Sequence, residues 1–211
     1  VLHLSLATGV WMGTTLLAIL ALSYNGFLME QKVIETHQTN SDLPKSQASQ
    51  HGMMSALADR IRLTKPPIVT LLLITALGGM FLAAQGPPPA LLIVWLMVGG
   101  AMAAGGANSI NHGLEQKSDS LMLRTRSRPV PAKRITARSA VAQGVILNAV
   151  AFIMLATFVN LLTALFTLSA TLFYILVYTS WLKRTTPQNI VIGGAAGSVP
   201  PLAGWAAVTG G

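Results

Sequence analysis

Long stretches without a charged side chain alternate with short polar ones along this chain. No Asp, Glu, Lys or Arg occurs in residues 1–29, 66–114, 139–182 or 185–211. A helix crossing a bilayer takes roughly 20 consecutive apolar residues, so these windows accommodate one, two, two and one spans. The pattern predicts six membrane helices, near 1–27, 67–84, 90–110, 135–158, 161–182 and 189–208. Gly86-Pro87-Pro88-Pro89 and Asn160 mark the turns inside the two long windows. The expected fold class is an all-α membrane protein, a polytopic helical bundle.

The polar pieces give the bundle an orientation. All 14 Lys and Arg residues fall in loops 28–65, 111–138 and 183–188, and the turns at 86–89 and 158–161 hold none. Strict alternation of spans puts those three loops on one side, and the positive-inside rule makes that side the cytoplasm. Residue 1 then lies on the outer side of the cell's inner (plasma) membrane. Residues 30–58 are too long and too polar for an ordinary helix–helix connection and read as a cytoplasmic linker. A short interfacial helix is expected at 57–63, ended by Pro66-Pro67.

Composition narrows the function classes. Charged residues make up 9% of the chain, against about 25% in soluble domains, so the lipid bilayer is the expected surrounding. The net charge of +8 sits between apolar spans, which favours the membrane surface and anionic substrates as partners and no nucleic acid. The absence of cysteine excludes a disulfide framework and any thiolate metal site. The first span shows neither a basic n-region nor a small-residue cleavage site, so it does not read as a signal peptide. The start at Val1 without Met and the end just past an apolar run read as cuts in a longer chain.

The chemistry-bearing segment follows the third expected span. Asn111, Glu115 and Asp119 recur every four residues, which on a helix stacks three oxygen-bearing side chains on one face. Mg2+ prefers such oxygen ligands and completes its shell with water and phosphate. Arg124, Arg126 and Arg128 come next, and guanidinium groups bind phosphate oxygens in a bidentate manner. Glu115 and Asp119 are the only acids after residue 59. Together these point to a diphosphate site at the cytoplasmic mouth of the bundle. From spacing alone, a solvated basic loop that only sets topology fits equally well.

The run Asn111-His112-x-x-Glu115-x-x-x-Asp119-x-x-Met122-x-Arg124-Thr125-x-x-Arg128-Pro129-x-Pro131 resembles the first acidic motif of the UbiA-type intramembrane prenyltransferases, and within them the protohaem IX farnesyltransferase (haem O synthase) branch. A second stretch agrees: Tyr178-Thr179-x-x-Leu182-Lys183-Arg184-x-Thr186-x-x-Asn189, followed by Gly193-Gly194-x-Ala196-Gly197-x-x-Pro200-Pro201-x-x-Gly204-Trp205. The resemblance covers residues 59–211, taken as the N-terminal part of a prenyltransferase domain. It implies a nine-helix fold, about five helices of which lie in this chain, with a second acidic segment beyond Gly211, so that this stretch alone is inactive. It further implies Mg2+ held by Asn111, Glu115 and Asp119, and the diphosphate of farnesyl diphosphate held by Arg124, Arg128, Lys183 and Arg184. The acceptor implied is a vinyl group of haem b. The family usually has Asp where this chain has Glu115, which shifts the reach of that ligand by a methylene. Quinone or chlorin acceptors, or a non-catalytic transporter-like bundle, are the competing readings.

Other polar groups have simpler expected roles. His112 could contact haem, although a structural, hydrogen-bonded histidine accounts for it as well. Lys183-Arg184 also suits a plain cytoplasmic anchor, and Asn108 and Asn148 suit hydrogen bonds between helices. Gly99, Gly100, Gly105, Gly106, Gly193, Gly194 and Gly197 are expected to serve close packing. Tyr178, Trp181 and Trp205 suit interfacial anchoring. In the first span, His3 followed by Trp11 resembles the last transmembrane helix of haem A synthase, whose membrane histidines bind haem. That resemblance implies that residues 1–29 end a haem A synthase-like domain fused to the prenyltransferase part, with His3 as a possible haem contact.

Overall fold

The computed structural model describes residues 45–183 and 189–210, all of whose regular elements are helical. The first expected span, with His3, lies outside the described residues. Residues 55–211 form one compact unit. The helices are α1 (Lys45–Leu63), α2 (Pro66–Ala84), α3 (Ala90–Leu114), α4 (Gln116–Leu121), α5 (Ala137–Phe158) and α6 (Leu161–Leu172), which continues as a π-helix over Phe173–Leu182. Then come α7 (Asn189–Gly194), a 3-10 turn (Ala195–Ser198) and α8 (Val199–Thr209).

The short helix expected at 57–63 is the end of the longer α1, so residues 45–58 of the expected linker are helical as well. The chain turns from α1 into α2 at Lys65, in the left-handed region (φ 51°, ψ 64°). Pro66 and Pro67 occupy the first turn of α2, where a missing N–H costs nothing. The proline ring in turn bars the preceding residue from continuing a right-handed helix. A left-handed non-glycine residue costs about 1–3 kcal/mol, so its surroundings must hold it.

Pro66–Ala84, Ala90–Leu114, Ala137–Phe158 and Leu161–Leu182 are each long and apolar enough to cross a membrane. Their outward faces carry exposed Leu82, Leu91, Ile153 and Leu176, one on each span, as lipid contact requires. Over the sixth expected span, residues 189–209 are helical throughout, and α7 passes into α8 through one 3-10 turn. A Cβ on Gly193 would meet the Tyr178 ring, but one on Gly194 or Gly197 would meet nothing within 4 Å, so those two do not serve the close packing expected of them. Gly193, Gly194 and Gly197 weaken the helix, and Pro200 and Pro201 cannot donate to its ladder.

The most extensive packing is α3 against α5 and α2 against α8. Both seams run on bare backbone. A Cβ on Gly106 would meet the Gly144 carbonyl, and one on Gly144 the Gly106 carbonyl. A Cβ on Gly79 would likewise meet the Pro201 carbonyl, and one on Gly204 the Ala76 carbonyl. Around them Met80, Leu96, Leu155 and Ala164 form the apolar core. Polar ties cross it: Thr171 Oγ1 donates to Asn148 Oδ1 at 2.9 Å, and Asn160, which caps α6, donates to the Ala206 carbonyl at 2.8 Å. Asn108 Nδ2 reaches the Thr64 carbonyl at 3.2 Å and so steadies the α1–α2 turn.

Candidate functional site

Asn111 lies in the last turn of α3, and the helix is interrupted at Glu115 (φ −91°, ψ 6°) before α4 begins. The expected single helix face is therefore built across a break. The register survives, because Glu115 N–H donates to the Asn111 carbonyl and Asp119 N–H to the Glu115 carbonyl, each at 2.9 Å. Asn111, Glu115 and Asp119 are all buried and line one polar cavity of about 380 Å³. Arg124, Arg128 and Lys183 line it too. Arg184 lies outside the described residues.

Each oxygen-bearing group on the stripe has a cation against it. Lys183 Nζ pairs with Glu115 Oε1, Arg128 Nη1 with Asp119 Oδ2 at 2.9 Å, and Lys65 Nζ donates to Asn111 Oδ1 at 3.1 Å. Thr125 Oγ1 donates to the Asp119 carbonyl at 2.8 Å. Four cationic side chains thus face two carboxylates, which leaves the cavity net positive and suited to an anion. His112 sits behind Asp119, with Nδ1 3.9 Å from Oδ2. That is too far for a hydrogen bond, and among the described residues neither ring nitrogen has a partner, so the hydrogen-bonded histidine expected from the sequence is not found there. It lines neither this cavity nor the apolar one next to it.

Sequence patterns did not single out Lys65 or Tyr174, and Thr179 stood in the second motif with no role attached to it. Lys65 projects from the strained α1–α2 turn. Burial, and then the nearby Arg128 guanidinium, lowers its amine to about 8. Thr179 accepts a hydrogen bond from Asn111 Nδ2 at 3.2 Å. Tyr174, Tyr178, Thr179 and Lys183 reach the cavity from the π-helical end of α6, whose wider turn brings residues four and five apart onto one face.

A second cavity of about 460 Å³ adjoins the first and is lined mainly by apolar residues of α2, α3, α6 and α8, among them Leu72, Leu96, Ala103 and Ala203. Tyr174 and Tyr178, stacked with ring centroids 5.6 Å apart, belong to the walls of both. A charged chamber and an apolar one therefore share a tyrosine wall. That arrangement suits an amphiphile with an anionic head and a hydrocarbon tail.

The donor set fits a hard divalent cation only as part of a complex. Among the described residues no group of three or more His, Cys, Asp or Glu side chains could hold a metal alone. Two carboxylates and an amide oxygen match Mg2+, which usually takes one or two carboxylates and fills its shell with phosphate and water.

Residues 72–211 match the UbiA prenyltransferase family. A protoheme IX farnesyltransferase of Symbiobacterium thermophilum is 57% identical over 152 residues, which are 72% of this chain and 51% of that protein. One from Synechocystis sp. is 51% identical over 162 residues, 76% of this chain and 51% of its own length. One from Roseiflexus sp. is 42% identical over 99% of this chain and 39% of its own length. The chain thus spans about half the length, or less, of these curated relatives. No solved structure matches it. With a family match across most of its length and the paired chambers described above, the chain belongs to the UbiA prenyltransferase family.

Proposed function

We propose that the protein carrying this chain transfers a farnesyl group from farnesyl diphosphate to a vinyl group of haem b, with Mg2+, on the cytoplasmic side of the inner membrane. The observation that carries this reading is the cation-lined chamber joined through Tyr174 and Tyr178 to an apolar one. The names of the relatives support the farnesyl donor and the haem acceptor. The clustering of Lys and Arg in three alternate loops supports the sidedness.

In this reading Asn111, Glu115 and Asp119 would hold Mg2+, which would supply charge neutralisation for the diphosphate leaving group. Lys65, Arg124, Arg128 and Lys183 bind the remaining phosphate oxygens, and we assign Arg184 the same role. When substrate enters, Lys183 and Arg128 pass from Glu115 and Asp119 to phosphate, so their charges are already placed where negative charge develops. The allylic C–O bond breaks and its electron pair leaves with the diphosphate. The haem vinyl group attacks the farnesyl cation, water captures the new cation, and loss of a proton leaves a hydroxyethylfarnesyl group. The apolar chamber keeps bulk water from the first cation.

The N-terminal stretch enters as a second proposal, as the end of a haem A synthase-like domain fused to the prenyltransferase part, with His3 at haem. The Roseiflexus relative, matched over 99% of the chain, supports treating the two stretches as one recurring polypeptide.

The test is farnesyl transfer to haem b by membranes containing the whole protein, with Mg2+ added or chelated. Metal-dependent appearance of farnesylated haem is the expected outcome. If a folded protein prenylates quinone rings but not haem, the acceptor is wrong. If it prenylates nothing, the transporter-like reading takes over. Lys65 adds a second check. Lys65→Met is expected to weaken binding of inorganic pyrophosphate with Mg2+ by roughly tenfold or more, the value of one charged hydrogen bond, as read by calorimetry. An unchanged constant would remove Lys65 from the site.

A further inference from the structure

Three carboxylates occur among the described residues, and the polar cavity uses only two of them. The third, Asp59, lies near the end of α1, outside the cavity and 8% exposed. Arg134 grips it with both arms of its fork. Nε donates to Oδ2 at 2.7 Å and Nη2 to Oδ1 at 3.2 Å, while Nη2 also reaches the Ser127 carbonyl at 3.2 Å. This bidentate geometry is the strong and directional form of a carboxylate pair. Arg62 stands farther off, 3.8 Å from Oδ1.

The pair spans two parts of the chain that matter to the site. Arg134 closes the segment 122–136, which carries Arg124 and Arg128 and has no α-helix or strand of its own. Single turns build it, such as Arg128 N–H to the Thr125 carbonyl and Arg134 N–H to the Pro129 carbonyl. Thr125 pins its start to Asp119, and fully buried Val130 seats its middle against Leu63. Its far end is fixed by Asp59. A segment of turns has no ladder to aim its side chains, so these pins decide where the two arginines stand.

We propose that the Asp59–Arg134 pair is a positioning clamp that sets Arg124 and Arg128 for the diphosphate end of the substrate. It rests on the reading of the polar cavity as a diphosphate site. Asp59 touches neither chamber and acts through the segment it anchors. The apolar seat of Val130 remains when the clamp is cut, so the segment loosens without the bundle unfolding.

The experiment measures two dissociation constants on the whole purified protein: inorganic pyrophosphate with Mg2+, and farnesol, which has the tail but no diphosphate. Asp59→Asn is expected to weaken pyrophosphate binding about tenfold and to leave farnesol binding within about twofold, with Asp59→Glu recovering most of the loss. Arg134→Lys keeps the charge but not the fork, and is expected to fall between them; it also serves if Asp59→Asn does not fold. Pyrophosphate binding within twofold of the unsubstituted protein in Asp59→Asn and Arg134→Lys overturns the clamp. So does equal weakening of both ligands, which marks general damage. Failure of the unsubstituted protein to bind pyrophosphate is a different result, and it removes the cavity reading and the clamp with it.

Discussion

Replacing Asp119 by Asn is expected to lower farnesyl transfer by about a hundredfold or more in membranes carrying equal amounts of the whole protein. The substitution nearly preserves shape, so the 5% exposed site can still pack. It removes one of the two negative charges facing the cavity and an anionic oxygen that Mg2+ would share with diphosphate. Arg128, now bonded to Asp119 Oδ2 at 2.9 Å, loses its charged partner. The Thr125 bond is made to the Asp119 main-chain carbonyl and survives, so the segment that follows keeps its anchor. The predicted loss is therefore chemical and not structural. Chromatography of extracted haems reads the product, and a thermal unfolding curve close to that of the unsubstituted protein completes the expectation. Activity within tenfold of the unsubstituted protein would mean that Asp119 is no metal ligand, and the basic-loop reading of the segment would regain its place.

The parts of this molecule that the sequence made legible follow from single physical rules. Charge-free windows gave four described spans because a helix in lipid tolerates few ionised side chains. The four-residue spacing of Asn111, Glu115 and Asp119 put them in one cavity even though the helix breaks at Glu115, because the i to i+4 bonds run through the break. What stayed hidden lacked a periodic signature. The π-helical end of α6 is written in apolar and aromatic residues that would suit an ordinary span equally well, yet it delivers Tyr174, Tyr178, Thr179 and Lys183 to the site. Lys65 read as one more positive-inside charge, since nothing local shows that the left-handed turn before Pro66-Pro67 aims its amine at Asn111. Asp59 drew no reading of its own, because its partner is 75 residues away.

The second large effect is expected in the seam between α3 and α5. Gly144→Ala should lower the stability of the purified protein by about 1–3 kcal/mol, and Gly144→Val by more. A Cβ at Gly144 meets the Gly106 carbonyl oxygen, the Ile110 amide nitrogen and the Ile110 side chain. Two of these neighbours are backbone and cannot rotate away, so the helices themselves must separate. Separation has a second cost, because Asn148, one turn along α5, accepts the Thr171 hydroxyl that ties α5 to α6. In lipid there is little hydrophobic drive to press such helices back together, and close backbone packing with polar ties carries the association. Gly78 is the control. Its Cβ would meet nothing within 4 Å, so Gly78→Ala adds helix propensity at no steric cost and is expected to be neutral or stabilising by about 0.5–1 kcal/mol. Thermal unfolding in one detergent, with both variants side by side, separates the cases. Equal shifts would show that glycine acts here through helix propensity alone and that the α3–α5 seam has room to spare. A loss confined to Gly144→Ala would tie the geometry of the site to this seam, since α3 presents Asn111 only five residues beyond Gly106.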